Sequence, residues 1–192
     1  MAKRYDFVVI GGGLVGCMVC LSISSKNKSV CLIEKNKINK IISDDYTPLS
    51  LSINSVNFLK EKNMWDENLI KSNLIESLYI KLFNSFNTIK ISTSDINLES
   101  IGQVVDKASF LSHLRNSCRK NKNIDVIDNT ELDIRQLESL SKIYLPNESE
   151  AIDFGQLIVT DGANSKFAEK LNIPYKNINY DQTSYIFNGE YD

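Results

Sequence analysis

The chain has 192 residues, of which 42% are hydrophobic and 24% charged, and its formal net charge is −2. That length and apolar content suit one globular domain with a sizeable core, while near-zero charge and scattered lysines give no sign of a nucleic-acid-binding patch. No apolar run reaches the length of a membrane-spanning helix, and Met1 to Arg4 leads straight into an apolar run too short for a secretory signal, so the expected location is cytoplasmic, with peripheral attachment to the inner membrane as the variant.

The first run, Phe7 to Ile10, reads as a buried strand. Gly11, Gly13 and Gly16 follow at once in G-x-G-x-x-G spacing and open an apolar segment of helical length. A second apolar run, Val30 to Ile33, ends in the acid Glu34. Strand, glycines, helix, strand and acid are the parts of a βαβ nucleotide-binding unit, in order. Gly11 permits a tight turn out of the strand, and Gly13 lets the backbone lie against a diphosphate. Gly16 lets the helix pack closely on the sheet. The helix N-terminus presents free N–H groups and the positive end of its dipole to phosphate. Glu34, at the tip of the second strand, can accept hydrogen bonds from both hydroxyls of an adenosine ribose. A carboxylate there repels a ribose 2′-phosphate, so the expected nucleotide is FAD or NAD and not NADP. The bland alternative is a glycine-rich turn that holds nothing. It explains the glycines but not the acid at the right strand end.

Cys17 and Cys20 form a C-x-x-C, but both fall inside the first helix, and Cys31 falls in a buried strand. With Cys118 they read as core packing, not as redox or zinc chemistry. His113 is the only histidine. It sits mid-helix in FLSHLRNSC, so no metal site is expected. A serine hydrolase is unsupported because no G-x-S-x-G elbow occurs.

After a polar stretch, Asn36 to Thr47, the residues Leu49 to Lys62 read as a helix with Leu51, Val56, Phe58 and Leu59 on its apolar side. Trp65 and Leu69 are expected to cap a core edge. Ser77 to Phe83 and Thr88 to Ser92 read as an antiparallel pair that reaches into a second domain. Ile101 to Val105 is strand-like, and Asp106 to Lys120 is helical, with Phe110, Leu111, Leu114 and Cys118 at helical spacing. Ile124 to Ile127 is strand-like. Leu132 to Ile134, Lys142 to Leu145 and Ala151 to Phe154 suggest an antiparallel meander packed over the sheet. Gln156 to Thr160 is a buried strand running into Asp161-Gly162. That turn puts a carboxylate at the carboxyl edge of the sheet, where open α/β sheets bind ligands; a common surface turn is the alternative.

DFVVIGGGLVG, the IEK ending the second strand, LSINSVNFLKEKNMWD, IGQVVDKASFLSHL and LIVTDGANSKF occur in this order. Together they resemble the flavin-dependent aromatic monooxygenases with the p-hydroxybenzoate-hydroxylase fold, and among them the ubiquinone-biosynthesis hydroxylases. The resemblance spans nearly the whole chain but only about the first half of such an enzyme. It implies a Rossmann-like FAD-binding domain, βαβ plus antiparallel meander, with the start of a β-sheet substrate domain. The implied partition is 1–75 and 101–178 for FAD binding, 76–100 for a strand pair reaching into the substrate domain, and 179–192 for that domain's start.

The resemblance also implies site roles. Gly11, Gly13 and Gly16 hold the FAD diphosphate, Glu34 holds the adenosine ribose, and Asp161 and Gly162 meet the flavin side. It implies NAD(P)H as reductant and a prenylated phenol as substrate, with peripheral attachment to a membrane or association with a ubiquinone-biosynthesis complex, and no nucleic acid. It names no catalytic acid or base, because the flavin carries the hard step. Two family arginines are replaced, by Thr47 and Ala168; both replacements remove positive charge from near the phosphates. Another flavoprotein of the same fold, a prenyl reductase or an oxidase, and a truncated remnant without catalysis remain as alternatives.

Overall fold

The computed structural model describes residues 3–39, 47–81, 86–133, 137–139, 141–146, 151–174, 176, 178–183 and 185. In chain order the elements are β1 (Lys3–Ile10), α1 (Leu14–Ser24), β2 (Val30–Ile33), β3 (Pro48–Ser52), α2 (Ile53–Glu61), β4 (Ser72–Ile75), β5 (Ser77–Lys81), β6 (Thr88–Ser92), α3 (Thr93–Ile96), β7 (Gly102–Asp106), α4 (Lys107–Lys120), β8 (Ile124–Ile127), β9 (Leu137–Ser139), β10 (Lys142–Tyr144), β11 (Ala151–Val159) and α5 (Lys166–Lys170). They fall into two compact units, one of residues 1–41 and 114–192 and the other of 42–113, with the division inside α4. The partition implied by the resemblance instead groups 42–75 and 101–113 with the nucleotide-binding segments.

The first unit is built on a six-stranded sheet in the order β8-β2-β1-β11-β10-β9. Its first four strands are parallel: β1 pairs with β2 from Phe7↔Val30 to Ile10↔Ile33 and with β11 from Lys3↔Ile152 to Ile10↔Val159. All four residues of β2 are buried, the signature of a strand covered on both faces. α1 lies against β1, β2 and β8 and buries Gly16, Cys17, Cys20 and Ser24. On one face Tyr5, Val8, Ile10, Cys31, Ile33, Ile143, Ile152, Phe154 and Phe167 form a single core cluster. Each fully buried aliphatic side chain contributes about 1.5–3 kcal/mol there.

Two sequence expectations are corrected in this unit. The antiparallel meander exists as β9, β10 and β11, but it extends the main sheet edge to edge and does not lie over its face. Ala151 to Phe154 and Gln156 to Thr160 are one continuous strand, β11, because Gly155 carries the chain through without a turn. A Cβ at Gly155 would lie 2.8 Å from the Asp6 carbonyl oxygen, so the residue marks a close approach of β11 to β1. Leu132 and Asp133 are irregular, and Ile134 lies outside the described residues. Of the expected start of the substrate domain, 179–192, only 179–183 and 185 are among them, without helix or strand.

The second unit holds a three-stranded antiparallel sheet, β3-β7-β4, and the separate hairpin β5-β6. The hairpin agrees with expectation, in the register Ser77↔Ser92 to Lys81↔Thr88. The expected helix from Leu49 to Lys62 is corrected. Pro48 to Ser52 alternates exposed and half-buried residues, pairs with β7 and forms a strand. The helix starts only at Ile53, where the Ser52 hydroxyl accepts the Ser55 N–H. α2 packs on β3 and β7 through Val56 and Leu59, while Phe58 is exposed. Trp65 packs on Phe110 at a ring-centroid distance of 5.9 Å, whereas Leu69 is exposed and caps nothing. β4 was not expected from the sequence.

Candidate functional site

The carboxyl ends of β1, β2 and β11 meet where α1 leaves the sheet on one side of β1 and the chain after β11 leaves on the other. This is the switch point at which open α/β sheets bind ligands. The Gly11 N–H closes onto the Ile33 carbonyl at 2.8 Å, and Gly11 adopts φ +101°, which only glycine takes without strain. The turn is packed from below. A Cβ at Gly16 would lie 1.9 Å from the Gly11 carbonyl oxygen, so α1 sits as close to the turn as backbone allows. Thr160 ties the two loops together, its hydroxyl lying 2.9 Å from the carbonyl oxygens of both Ile10 and Gly11.

Gly13 is different. Its φ is −77°, which any residue adopts, and a Cβ there would meet nothing within 4 Å. The fold itself does not require a glycine at this position. The space it leaves open belongs to a cavity of about 350 Å³ lined by Gly11, Gly13, Glu34, Lys35, Arg115, Thr160, Asp161, Gly162, Lys166 and others. Gly13 also precedes the first intrahelical bond of α1, from the Cys17 N–H to the Gly13 carbonyl at 3.0 Å, so the first-turn N–H groups have no acceptor within the helix.

Glu34 is buried, and both its oxygens are engaged: Oε2 accepts the Gly12 N–H at 2.5 Å and Oε1 the Asn36 N–H at 2.9 Å. A carboxylate has about four acceptor positions, so two remain for a ligand. Its first task here is to hold the glycine turn. Asp161 and Gly162 are exposed at the cavity wall, and Gly162 adopts φ +100°. Five of the six expected site residues therefore line one cavity. Gly16 does not; it serves by packing.

Two contributors were missed. Thr160 reads in sequence as the last residue of a strand. Arg115, not singled out in the sequence, is buried and lines the cavity. Ala168, at a position where the resemblance expects arginine, donates its N–H to the Ser165 hydroxyl at 2.9 Å and caps α5. Lys35 and Lys166 supply positive charge at the cavity instead. All four cysteines are buried free thiols, and burial pushes Cys31 up to about 12. No group of metal-ligating side chains occurs among the described residues.

A parallel sheet in this order, a glycine turn into a closely packed helix, an acid on the neighbouring strand and an open cavity at the switch point define a dinucleotide-binding α/β protein. Comparison places it further: the model of the glucose inhibited division protein A family matches residues 6–184, and the chain belongs to that family. Among curated proteins it is 26% identical over 198 residues to "Ubiquinone biosynthesis monooxygenase COQ6, mitochondrial" of Caenorhabditis elegans, an alignment covering 94% of this chain and 43% of that protein. The protein of the same name from Dictyostelium discoideum is 26% identical over 210 residues, covering 95% and 42%. The chain thus spans less than half the length of the curated relatives it matches.

Solved structures share the fold. p-Nitrophenol 4-monooxygenase PnpA from Pseudomonas putida DLL-E4 superposes with a TM-score of 0.69 at 16% identity, covering 93% of this chain and 46% of that one. A geranylgeranyl bacteriochlorophyll reductase-like protein from Thermoplasma acidophilum gives 0.66 at 19%, covering 90% and 43%. No helix among the described residues is long and apolar enough to cross a membrane.

Proposed function

We propose that the chain is the nucleotide-gripping part of an FAD-dependent, NAD(P)H-consuming monooxygenase that hydroxylates a prenylated phenol in ubiquinone biosynthesis. The observation that carries this reading is the open space at Gly13, facing a cavity walled by Glu34 on one strand end and Asp161 on another. A residue that could be anything for the fold's sake is the one without a side chain, and a diphosphate fills the space. The first-turn N–H groups of α1 complement its charge. Glu34 accepts the ribose hydroxyls with its two remaining lone-pair positions, and its charge turns away a 2′-phosphate. Asp161 and Gly162 meet the flavin end. Bound FAD supplies electron storage and oxygen activation, and this chain supplies grip and orientation. Both curated relatives named above carry monooxygenase names, and the p-nitrophenol enzyme shares the fold.

The substrate is apolar and dissolves in lipid, so we place the protein at a membrane surface, docked peripherally. Residues 76–100, with the hairpin β5-β6, belong in this reading to the substrate side. A same-fold prenyl reductase is the second reading, favoured by the likeness to the Thermoplasma structure. The absorption spectrum of the purified chain, alone and after adding FAD, tests the cofactor assignment. A flavin spectrum that survives desalting supports it, and a colourless protein that ignores FAD overturns it. In the complete protein, ¹⁸O from O₂ appearing in the phenol product supports oxygenation. Reduction of a prenyl double bond without label supports the reductase.

A further inference from the structure

Arg115 is a buried cation that makes no ion pair among the described residues. It is 6% exposed, and among the described residues no carboxylate lies within salt-bridge distance of it. Its two hydrogen bonds go to neutral backbone: Nε donates to the Gly12 carbonyl at 2.9 Å and Nη1 to the Ile38 carbonyl at 3.5 Å. A guanidinium taken out of water into such a place costs several kcal/mol unless charge compensates it. Among the described residues the nearest counter-charge on the same glycine is Glu34, which holds the Gly12 N–H and makes no ion pair with Arg115, and both side chains line the cavity that holds the open space at Gly13.

The bond to Gly12 has a geometric consequence. In a trans peptide the C=O of one residue and the N–H of the next point in opposite directions, and this chain has no cis peptide bond among its described residues. The Gly12 carbonyl is drawn toward Arg115 and toward the Cys17 thiol at 3.6 Å, beneath the turn. The Gly13 N–H is thereby turned the other way, and it finds no acceptor among the described residues. The peptide before it is fixed as well, its carbonyl by Thr160 and its N–H by Glu34. Of the three glycine N–H groups in the turn, those of Gly11 and Gly12 are spent on the protein and that of Gly13 is kept for something else.

We propose that Arg115 is a positioning residue for diphosphate binding: its grip on the Gly12 carbonyl aims the Gly13 N–H into the cavity, and its positive charge at the cavity wall favours the anion that arrives there. It supplies, from α4, positive charge that Thr47 and Ala168 do not. The inference rests on the nucleotide reading of the site, and it concerns the diphosphate alone, not the ribose.

Titration of the 192-residue chain with ADP and with adenosine, by calorimetry or ligand-observed NMR, separates the two parts. Arg115→Met should weaken ADP at least about tenfold and leave adenosine, held through Glu34, within about twofold. Arg115→Lys keeps the charge but cannot span both carbonyls, so its loss of ADP affinity should be smaller, with adenosine again unchanged. Unchanged ADP affinity in either folded variant overturns the proposal, as does a parallel loss of ADP and adenosine, which marks a merely structural role. If circular dichroism shows Arg115→Met unfolded, Arg115→Lys decides by the same criterion. A parent chain that binds neither FAD nor ADP overturns the nucleotide reading itself; a parent that binds both, beside indifferent variants, overturns only the role of Arg115.

Discussion

At Gly13 and Gly16 the same substitution should have opposite consequences. Gly13→Ala adds a methyl to open space at an ordinary φ, so the melting temperature should stay within about 2 °C. FAD affinity should nonetheless fall at least about tenfold, because the methyl occupies the diphosphate's place. Gly16→Ala drives a methyl into the Gly11 carbonyl and should cost about 3 kcal/mol or more, read as a large drop in melting temperature or as insoluble protein. Glu34→Ala belongs beside these. It frees two backbone N–H groups and removes the proposed ribose acceptor, so FAD should weaken by roughly 1.5–3 kcal/mol in an equilibrium titration. Unchanged affinity would remove Glu34 from the ligand site. Five of the six residues expected from the sequence line the cavity because the G-x-G-x-x-G spacing, the terminal acid and the Asp-Gly turn are local patterns. Arg115 was invisible because its meaning lies 103 positions away, at Gly12.

Among the elements, β1 and β2 are tied at their far end by Asp6. Its carboxylate accepts the Ser29 N–H at 2.8 Å, the Ser29 hydroxyl at 2.9 Å and the Lys28 ammonium at 3.2 Å. The backbone bond from Ser29 leads in holding Asp6 below the usual aspartate value of 3.8, with the hydroxyl and Lys28 adding to it. A carboxyl lowered in the folded state stabilises above its unfolded pKa and loses that contribution as pH falls through the folded value. Asp6→Ala should therefore melt below the parent at neutral pH, and the gap should narrow once pH drops below about 4. A gap independent of pH would remove the charge from the explanation. The same scale shows where sequence reading strayed. Pro48 to Ser52 carried leucines compatible with either period, and pairing with the distant β7 decided for a strand. Ala151 to Val159 looked like two strands because Gly155 imitates a turn, when it marks contact with β1.

The molecule as a whole shows two compact units of unlike finish. The first has a deep core on its sheet. The second carries a hairpin whose Leu78, Tyr79, Ile80 and Ile89 are all exposed, a composition that invites association through its edges and faces. Ile80 and Ile89 sit opposite each other in register. Replacing both with threonine keeps β-branching and removes apolar surface. Sedimentation velocity should then show less concentration-dependent association, with little change in melting temperature. Undiminished association would place the sticky surface elsewhere.

The pairing of β1 with β11 joins the first strand of the chain to one that begins only at Ala151. Closing so long a loop precedes any reward from the contact. A ribosome that has made the glycine turn and Glu34 has therefore made no usable pocket, since Thr160, Asp161 and Gly162 are still unsynthesised. A cofactor held by both loops, as proposed, would therefore be acquired only after the chain through Gly162 has emerged and folded.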